Sequence, residues 1–134
     1  VYTNYTRNNT NQANVELDGQ KVGESPLIGS SKYQLNFSAF YEDDLFNLRA
    51  SYNKRGPSVG GYNASWETNY YSAAYDQIDL NANYNLTEML VVSASVINLT
   101  KSETYVHLGN DTDKRFIQNA YGGRRYYMGA TYRF

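Results

Sequence analysis

The chain has no cysteine, two prolines, one histidine and one tryptophan in 134 residues. Each scarcity excludes something. Without Cys there is no disulfide-stapled scaffold and no zinc ribbon. His107 is the single His, and no G-x-S-x-G elbow occurs, so nucleophilic catalysis finds little support and no enzyme is expected. Charged residues are only 19%, below the roughly 25% usual for a soluble domain. A net charge of −1 gives no general attraction for nucleic acid. No run of about 18 apolar residues occurs, so no transmembrane helix is expected.

What is abundant is Tyr, at fifteen, and Asn, at sixteen. Aromatics at 16% can bury enough surface to argue against disorder. The mean hydropathy of −0.68 suits a soluble protein at first sight. A chain that alternates apolar and polar residues can nevertheless span a bilayer as a β-barrel while averaging polar.

Alternation with period 2 dominates. In Tyr33-Gln34-Leu35-Asn36-Phe37-Ser38-Ala39-Phe40-Tyr41 the odd positions are apolar and the even ones polar, except Phe40. In Phe46-Asn47-Leu48-Arg49-Ala50-Ser51-Tyr52-Asn53 the even positions are apolar. Ile78-Asp79-Leu80-Asn81-Ala82-Asn83-Tyr84-Asn85-Leu86 is the clearest case. Leu90 to Val96 and Arg124 to Phe134 continue the pattern. The sequence predicts an all-β chain of antiparallel up-and-down strands, about 1–6, 31–43, 45–55, 74–86, 89–99 and 124–134. The tight connections are Asp43-Asp44 and Thr87-Glu88, where the aspartates cap a turn. The stretches of about 7–30, 56–73 and 100–123 are predicted as long loops and hold most of the Gly and Pro. Short connections on one rim and long ones on the other describe an outer-membrane barrel. Strands of about 12 residues tilted by 40° would cross roughly 30 Å. Tyr near strand ends would place rings at the headgroup boundary.

The last residues carry a resemblance. Tyr127-Met128-Gly129-Ala130-Thr131-Tyr132-Arg133-Phe134 resembles the C-terminal β-signal of bacterial outer-membrane proteins, with Tyr127, Gly129, Tyr132 and Phe134 at its positions. Tyr127 stands where that signal has a polar residue. Pro26-Leu27-Ile28-Gly29-Ser30-Ser31-Lys32-Tyr33-Gln34-Leu35-Asn36 resembles the approach to a late strand in TonB-dependent receptors. Tyr41-Glu42-Asp43, Leu48 to Arg55, Asn98-Leu99-Thr100-Lys101 and Gly123-Arg124-Arg125-Tyr126-Tyr127-Met128-Gly129 resemble that family in the same order.

The resemblance implies the C-terminal barrel segment of such a receptor, with a plug and a TonB box elsewhere. It implies uptake of a scarce nutrient (siderophore-iron, cobalamin or an oligosaccharide) across the bacterial outer membrane. The implied partners are outer-membrane lipid, the rest of the barrel and the plug, the TonB complex and the barrel assembly machinery. Physics points the same way, because six strands fall short of the eight that close a small transmembrane barrel. Other expectations remain open beside this one: another outer-membrane barrel, porin-like or adhesin, or a soluble secreted β-sandwich that binds carbohydrate.

Few residues suggest chemistry. His107 is expected as a solvated loop residue. Asn110-Asp111-Thr112-Asp113 has oxygen ligands but lacks the Gly and Glu of a calcium loop, so no metal site and no cofactor are expected. Gly60-Gly61 and Gly122-Gly123 lack the strand-to-helix context of a phosphate loop. Tyr62, Trp66, Tyr70 and Tyr71 form the candidate ligand-contacting loop, since aromatic rings stack on sugars and planar groups. Arg49, Arg125 and Arg133 fall on the polar face with Glu42, Asp79, Asn81 and Asn83. In a barrel that face lines the lumen, with ion pairs or plug contacts, or simply a solvated ladder.

Overall fold

The structure, a computed structural model, describes residues 1–7, 11–12, 16–17, 20–21, 25–63, 65, 68–109 and 113–134. Its strands in chain order begin with β1 (Tyr2–Arg7) and four two-residue pieces: β2 (Asn11–Gln12), β3 (Glu16–Leu17), β4 (Gln20–Lys21) and β5 (Ser25–Pro26). Then come β6 (Tyr33–Glu42), β7 (Phe46–Arg55), β8 (Ser58–Asn63), β9 (Thr68–Ser72) and β10 (Tyr75–Asn85). The last are β11 (Leu90–Ile97), β12 (Thr104–Leu108), β13 (Arg115–Ala120) and β14 (Arg125–Tyr132). No α-helix occurs among the described residues.

The six strands expected from alternation are all present, and they form one open antiparallel sheet in the order β1-β6-β7-β10-β11-β14. Register sorts the side chains. Ala39 faces Ala50, which faces Leu80, which faces Val96, which faces Tyr126. The next row is Tyr41, Leu48, Ala82, Ala94 and Met128. Opposite partners in an antiparallel pair share a face, so these rows build one apolar side. The other side carries Ser38, Ser51 and Asp79, then Phe40, Arg49, Asn81, Ser95 and Tyr127.

No described residue covers the apolar side. Val59 (4% exposed) and Leu108 (8%) are the only buried apolar side chains among the described residues, and both lie outside this sheet. Met128 is 88% exposed, and Phe37, Tyr41, Leu48, Tyr84, Tyr126 and Tyr132 are exposed as well. The accessible surface is 9730 Å², against about 7100 Å² for a compact chain of this mass.

Both tight turns lie at one end of the sheet. Asp43 Oδ1 accepts the backbone N–H of Leu45 (2.9 Å) and of Phe46 (2.7 Å), and Oδ2 accepts the Tyr41 hydroxyl (2.7 Å). The Tyr41 hydroxyl first, then the two backbone N–H groups, hold the Asp43 carboxyl below the usual carboxylate range. Thr87 Oγ1 likewise accepts from the backbone of Met89 and Leu90.

The opposite end corrects the sequence reading. The stretches expected as loops, 56–73 and 100–123, contain β8, β9, β12 and β13, which form a second antiparallel sheet in the order β13-β12-β9-β8. β8 follows β7 after Gly56-Pro57, and β9 leads into β10 through Ala73-Ala74. β12 and β13 stand to β11 and β14 in the same way, so the extension repeats the order of the wall below it.

Asn98 fastens this junction. It is 6% exposed and holds a left-handed backbone, φ 59°. Its N–H donates to Asp79 Oδ1 (2.9 Å). Its side-chain amide donates to the carbonyls of Ser102 (3.1 Å) and Gly123 (3.0 Å), and Oδ1 accepts the N–H of Ser102 (2.9 Å). Thr100 and Ser102 hydroxyls both donate to the Asp76 carbonyl. The Asn98 side chain thus ties the residues before β12 and β14 together, while its backbone N–H holds Asp79 of β10.

Replacing Asn98 by Gly keeps the backbone conformation and removes the amide's bonds. The expected loss is about 2–4 kcal/mol, at roughly 1 kcal/mol for each net hydrogen bond. Asn98→Ala should lose about 1 kcal/mol more, because a Cβ disfavours positive φ. Thermal unfolding of the protein measures both. Equal stability of wild type and Asn98→Gly would remove this residue from the account.

Candidate functional site

The extension holds the densest cluster of aromatic and titratable side chains. Tyr71 pairs with Val59 on one side and His107 on the other. The rings of Tyr71 and His107 stack at 5.8 Å, those of His107 and Tyr105 at 5.7 Å, and Phe116 follows at 5.8 Å from Tyr105. A register shift between Val106 and His107 brings Phe116 opposite His107. Such bulges re-aim side chains. His107 is therefore not a solvated loop residue: it is 6% exposed, on β12, between two tyrosine rings.

The other face of this sheet is shaped by glycine. A side chain at Gly60 would place Cβ 2.2 Å from Tyr70 Cε2, and at Gly61 2.7 Å from the Tyr70 hydroxyl. The Tyr70 ring lies directly on that backbone, where no Cβ fits. The accompanying register shift lies between Val59 and Gly61.

Tyr62, Tyr70 and Tyr71 thus sit on strands of a hairpin rather than on a loop. Tyr70 and Tyr71 are neighbours on β9 and point to opposite faces. Tyr62 pairs with Asn69, on the Tyr71 side. The structure therefore does not gather these rings into one surface. Trp66 and residues 110–112 lie outside the described residues. Asp113 lies 3.5 Å from the Arg115 guanidinium. No group of three or more metal-ligating side chains occurs among the described residues.

The segment before β6 runs along the free edge of β8. Gly29 N–H donates to the Val59 carbonyl (2.7 Å), Lys32 N–H to the Pro57 carbonyl (3.4 Å), and Ser31 bridges to Ser58. Gly29 takes φ 77°, which a glycine adopts freely. Between this segment and β9 and β12 is a cleft of about 420 Å³.

On the wall, Arg49, Asp79, Asn81, Asn83 and Arg125 share the polar face, in register with Ser51, Ser93 and Ser95. Glu42 pairs with Asn47 on the same face. Asp79 is occupied by Gln77 Nε2 (2.7 Å) and the Asn98 N–H (2.9 Å) rather than by an arginine. Arg133 follows β14, its N–H donating to the Met89 carbonyl (2.8 Å). Tyr127 and Gly129 lie on the polar face, opposite Ser95 and Ser93, while Tyr132 stands on the apolar face opposite Leu90. Phe134 is fully exposed.

Compared with known proteins, the chain matches no family model, no curated protein and no solved structure.

The Gly60–Tyr70 contact predicts a coupled pair. Gly60→Ala should destabilise by about 1–3 kcal/mol, the usual cost of overpacking. In a Tyr70→Ala background that cost should nearly vanish. A double-mutant cycle on thermal stability reads the coupling, and additive effects would contradict the contact.

Proposed function

We propose that the six-stranded sheet is part of the wall of a transmembrane β-barrel in the bacterial outer membrane. The chain would form the C-terminal barrel part of an active-transport receptor of the TonB-dependent kind. In this reading the apolar side meets lipid and the polar side faces the lumen, with Arg49, Asp79, Asn81, Asn83, Arg125 and Arg133 lining it. The rest of the barrel, a plug and the TonB complex are its partners, and a scarce nutrient is its cargo.

One observation carries the reading: a continuous apolar face with none of the described residues packed against it. Full transfer of one Leu, Phe or Met side chain out of water gives about 1.5–3 kcal/mol. A soluble fold does not leave a whole face of such side chains in water. The patch measures about 24 Å across six strands and about 26 Å along the chain from Tyr126 on β14 to Phe134 just beyond it. Its projected area, about 600 Å², is at the upper end for any patch on a soluble monomer. Its height suits an apolar band of about 25 Å.

The edges of β1 and β14 require further strands. In lipid, unpaired backbone groups cost several kcal/mol each, so a barrel wall has no edge. Tight turns at one end and extended hairpins at the other give the asymmetry of periplasmic turns and extracellular loops. A soluble sandwich would need a second sheet against the apolar side. Among the described residues, element contacts are those of hydrogen-bonded neighbours, and no layer stacks on that face. The receptor role rests on the sequence resemblance; a porin-like or adhesin barrel would share the wall.

Two neighbouring substitutions on β10 test the membrane reading. Leu80→Arg puts a cation on the apolar face and should cost about 2–4 kcal/mol of barrel stability near the midplane. Asn81→Arg puts it on the polar face and should be tolerated. The readout is heat-modifiable protein in the outer-membrane fraction of cells making the full-length protein. Phe134→Ala should reduce that fraction as well. Equal tolerance of Leu80→Arg and Asn81→Arg would contradict a lipid-facing side.

A further inference from the structure

We propose that the strand pairing with β14 in the full-length protein continues past the membrane and hydrogen-bonds along the open edge of β13. This partner rests on the barrel reading and goes beyond it. Lipid demands a neighbour for β14, but β13 belongs to the extension, where water can serve a free edge.

The extension copies the neighbours of the wall. β7 leads into β8, β9 into β10, β11 into β12 and β13 into β14. In the wall β7, β10, β11 and β14 are adjacent in that order, and in the extension β8, β9, β12 and β13 keep it. β6 follows the same rule. Residues 29–32 lead into it and lie along the edge of β8, as β6 itself lies along β7. The bonds there are backbone bonds, from the Gly29 N–H to the Val59 carbonyl and from the Lys32 N–H to the Pro57 carbonyl. Every pairing in the wall from β6 to β14 is therefore repeated beyond the Asn98 junction.

The next pairing in the series is the one outside β14. Among the described residues, the outer edges of β14 and of β13 pair with nothing, and both lie at the same end of their sheets. Both strands are exposed at every position, whereas β8, at the covered edge, is buried or half-buried throughout. On β13, Phe116 is 64% exposed and Ile117 42%, and a strand alongside would cover part of each. β13 has one extra residue opposite Val106 and His107, and such bulges blunt an edge. β8 has the same irregularity between Val59 and Gly61 and is covered nonetheless.

Direction fits as well. β14 runs away from the extension, from Arg125 opposite Ile97 to Tyr132 opposite Leu90. An antiparallel neighbour runs towards the extension and leaves the wall beside β13. A continuation of about ten residues, at roughly 3.3 Å each, passes 121–124 and spans β13.

Amide hydrogen exchange of the full-length protein in bilayers reads both edges in one sample. Successive amides of an antiparallel strand point to alternate sides, so an unpaired edge leaves about half of them open to water. Gln118, Asn119 and Ala120 should all exchange at least about a hundredfold more slowly than unstructured amides, as should Met128 to Thr131 on β14. Slow exchange throughout β14 with fast exchange of alternate β13 amides would overturn the proposal and leave the wall intact. Fast alternate exchange on both strands would overturn the proposal and the barrel reading together. Disulfide trapping then identifies the occupant. Gln118→Cys is combined with single cysteines along the segment that follows the strand pairing with β14. An intramolecular cross-link at one or two neighbouring positions is expected, in protein whose mobility stays heat-modifiable. A cross-link to a second copy in its place, or none within the chain, would overturn the proposal.

Discussion

Backbone hydrogen bonding between neighbouring strands holds this molecule together, because among the described residues almost no buried apolar side chain is there to do it. The ladders from β1 through β14 run through every strand of the wall, and the side chains they align stay open to the surroundings. That constraint explains the composition. Alternation must be strict, since a one-residue slip would carry Asn81 and Asp79 to the apolar side and Leu80 to the polar one. Asn and Ser serve the polar face, where Asn36 meets Asn53 and Ser38 meets Ser51. Ala, Leu, Val and Tyr serve the other.

Where the wall ends, a second device takes over. Above the Asn98 junction the alternation is interrupted by two register shifts, and the only buried apolar side chains among the described residues appear there. Val59 and Leu108 sit in a sheet that covers its own interior with Tyr70 on glycine and Tyr71 on His107. The extension therefore behaves as an ordinary folded element, with close packing and a cleft, mounted on a sheet against whose faces no other described element packs.

The wall was legible in the sequence because period 2 is a direct record of two environments. Ile78 to Leu86 alternates without exception, and its strand appeared within a residue of the expected bounds. The extension was not legible. Gly60-Gly61 looked like punctuation, yet these glycines make room for Tyr70 within a strand. Thr104-Tyr105-Val106-His107-Leu108 is rich in β-branched and aromatic residues, and that composition signalled a strand more clearly than its single polar His signalled a loop. The bulge beside His107 hides the period in its partner, Arg115 to Ala120. The partners of Asp79 were not readable either: it shares a face with Arg49 but spends its oxygens on Gln77 and the Asn98 backbone, a partner no spacing rule reveals. The β-signal residues are readable as a pattern and lie on two different faces, Tyr127 and Gly129 on one and Tyr132 on the other.

The central claim is that one face of this sheet meets lipid and the other does not. Because the chain has no Cys, single cysteines at positions 77–84 of β10 can each carry one nitroxide label. The decisive measurement is their electron paramagnetic resonance relaxation by oxygen and by a water-soluble nickel chelate, with the protein in bilayers. The account predicts alternation of period 2: oxygen dominates at Ile78, Leu80, Ala82 and Tyr84, and the chelate or protein shielding at Gln77, Asp79, Asn81 and Asn83. High chelate access at the even positions, or no alternation, would contradict it.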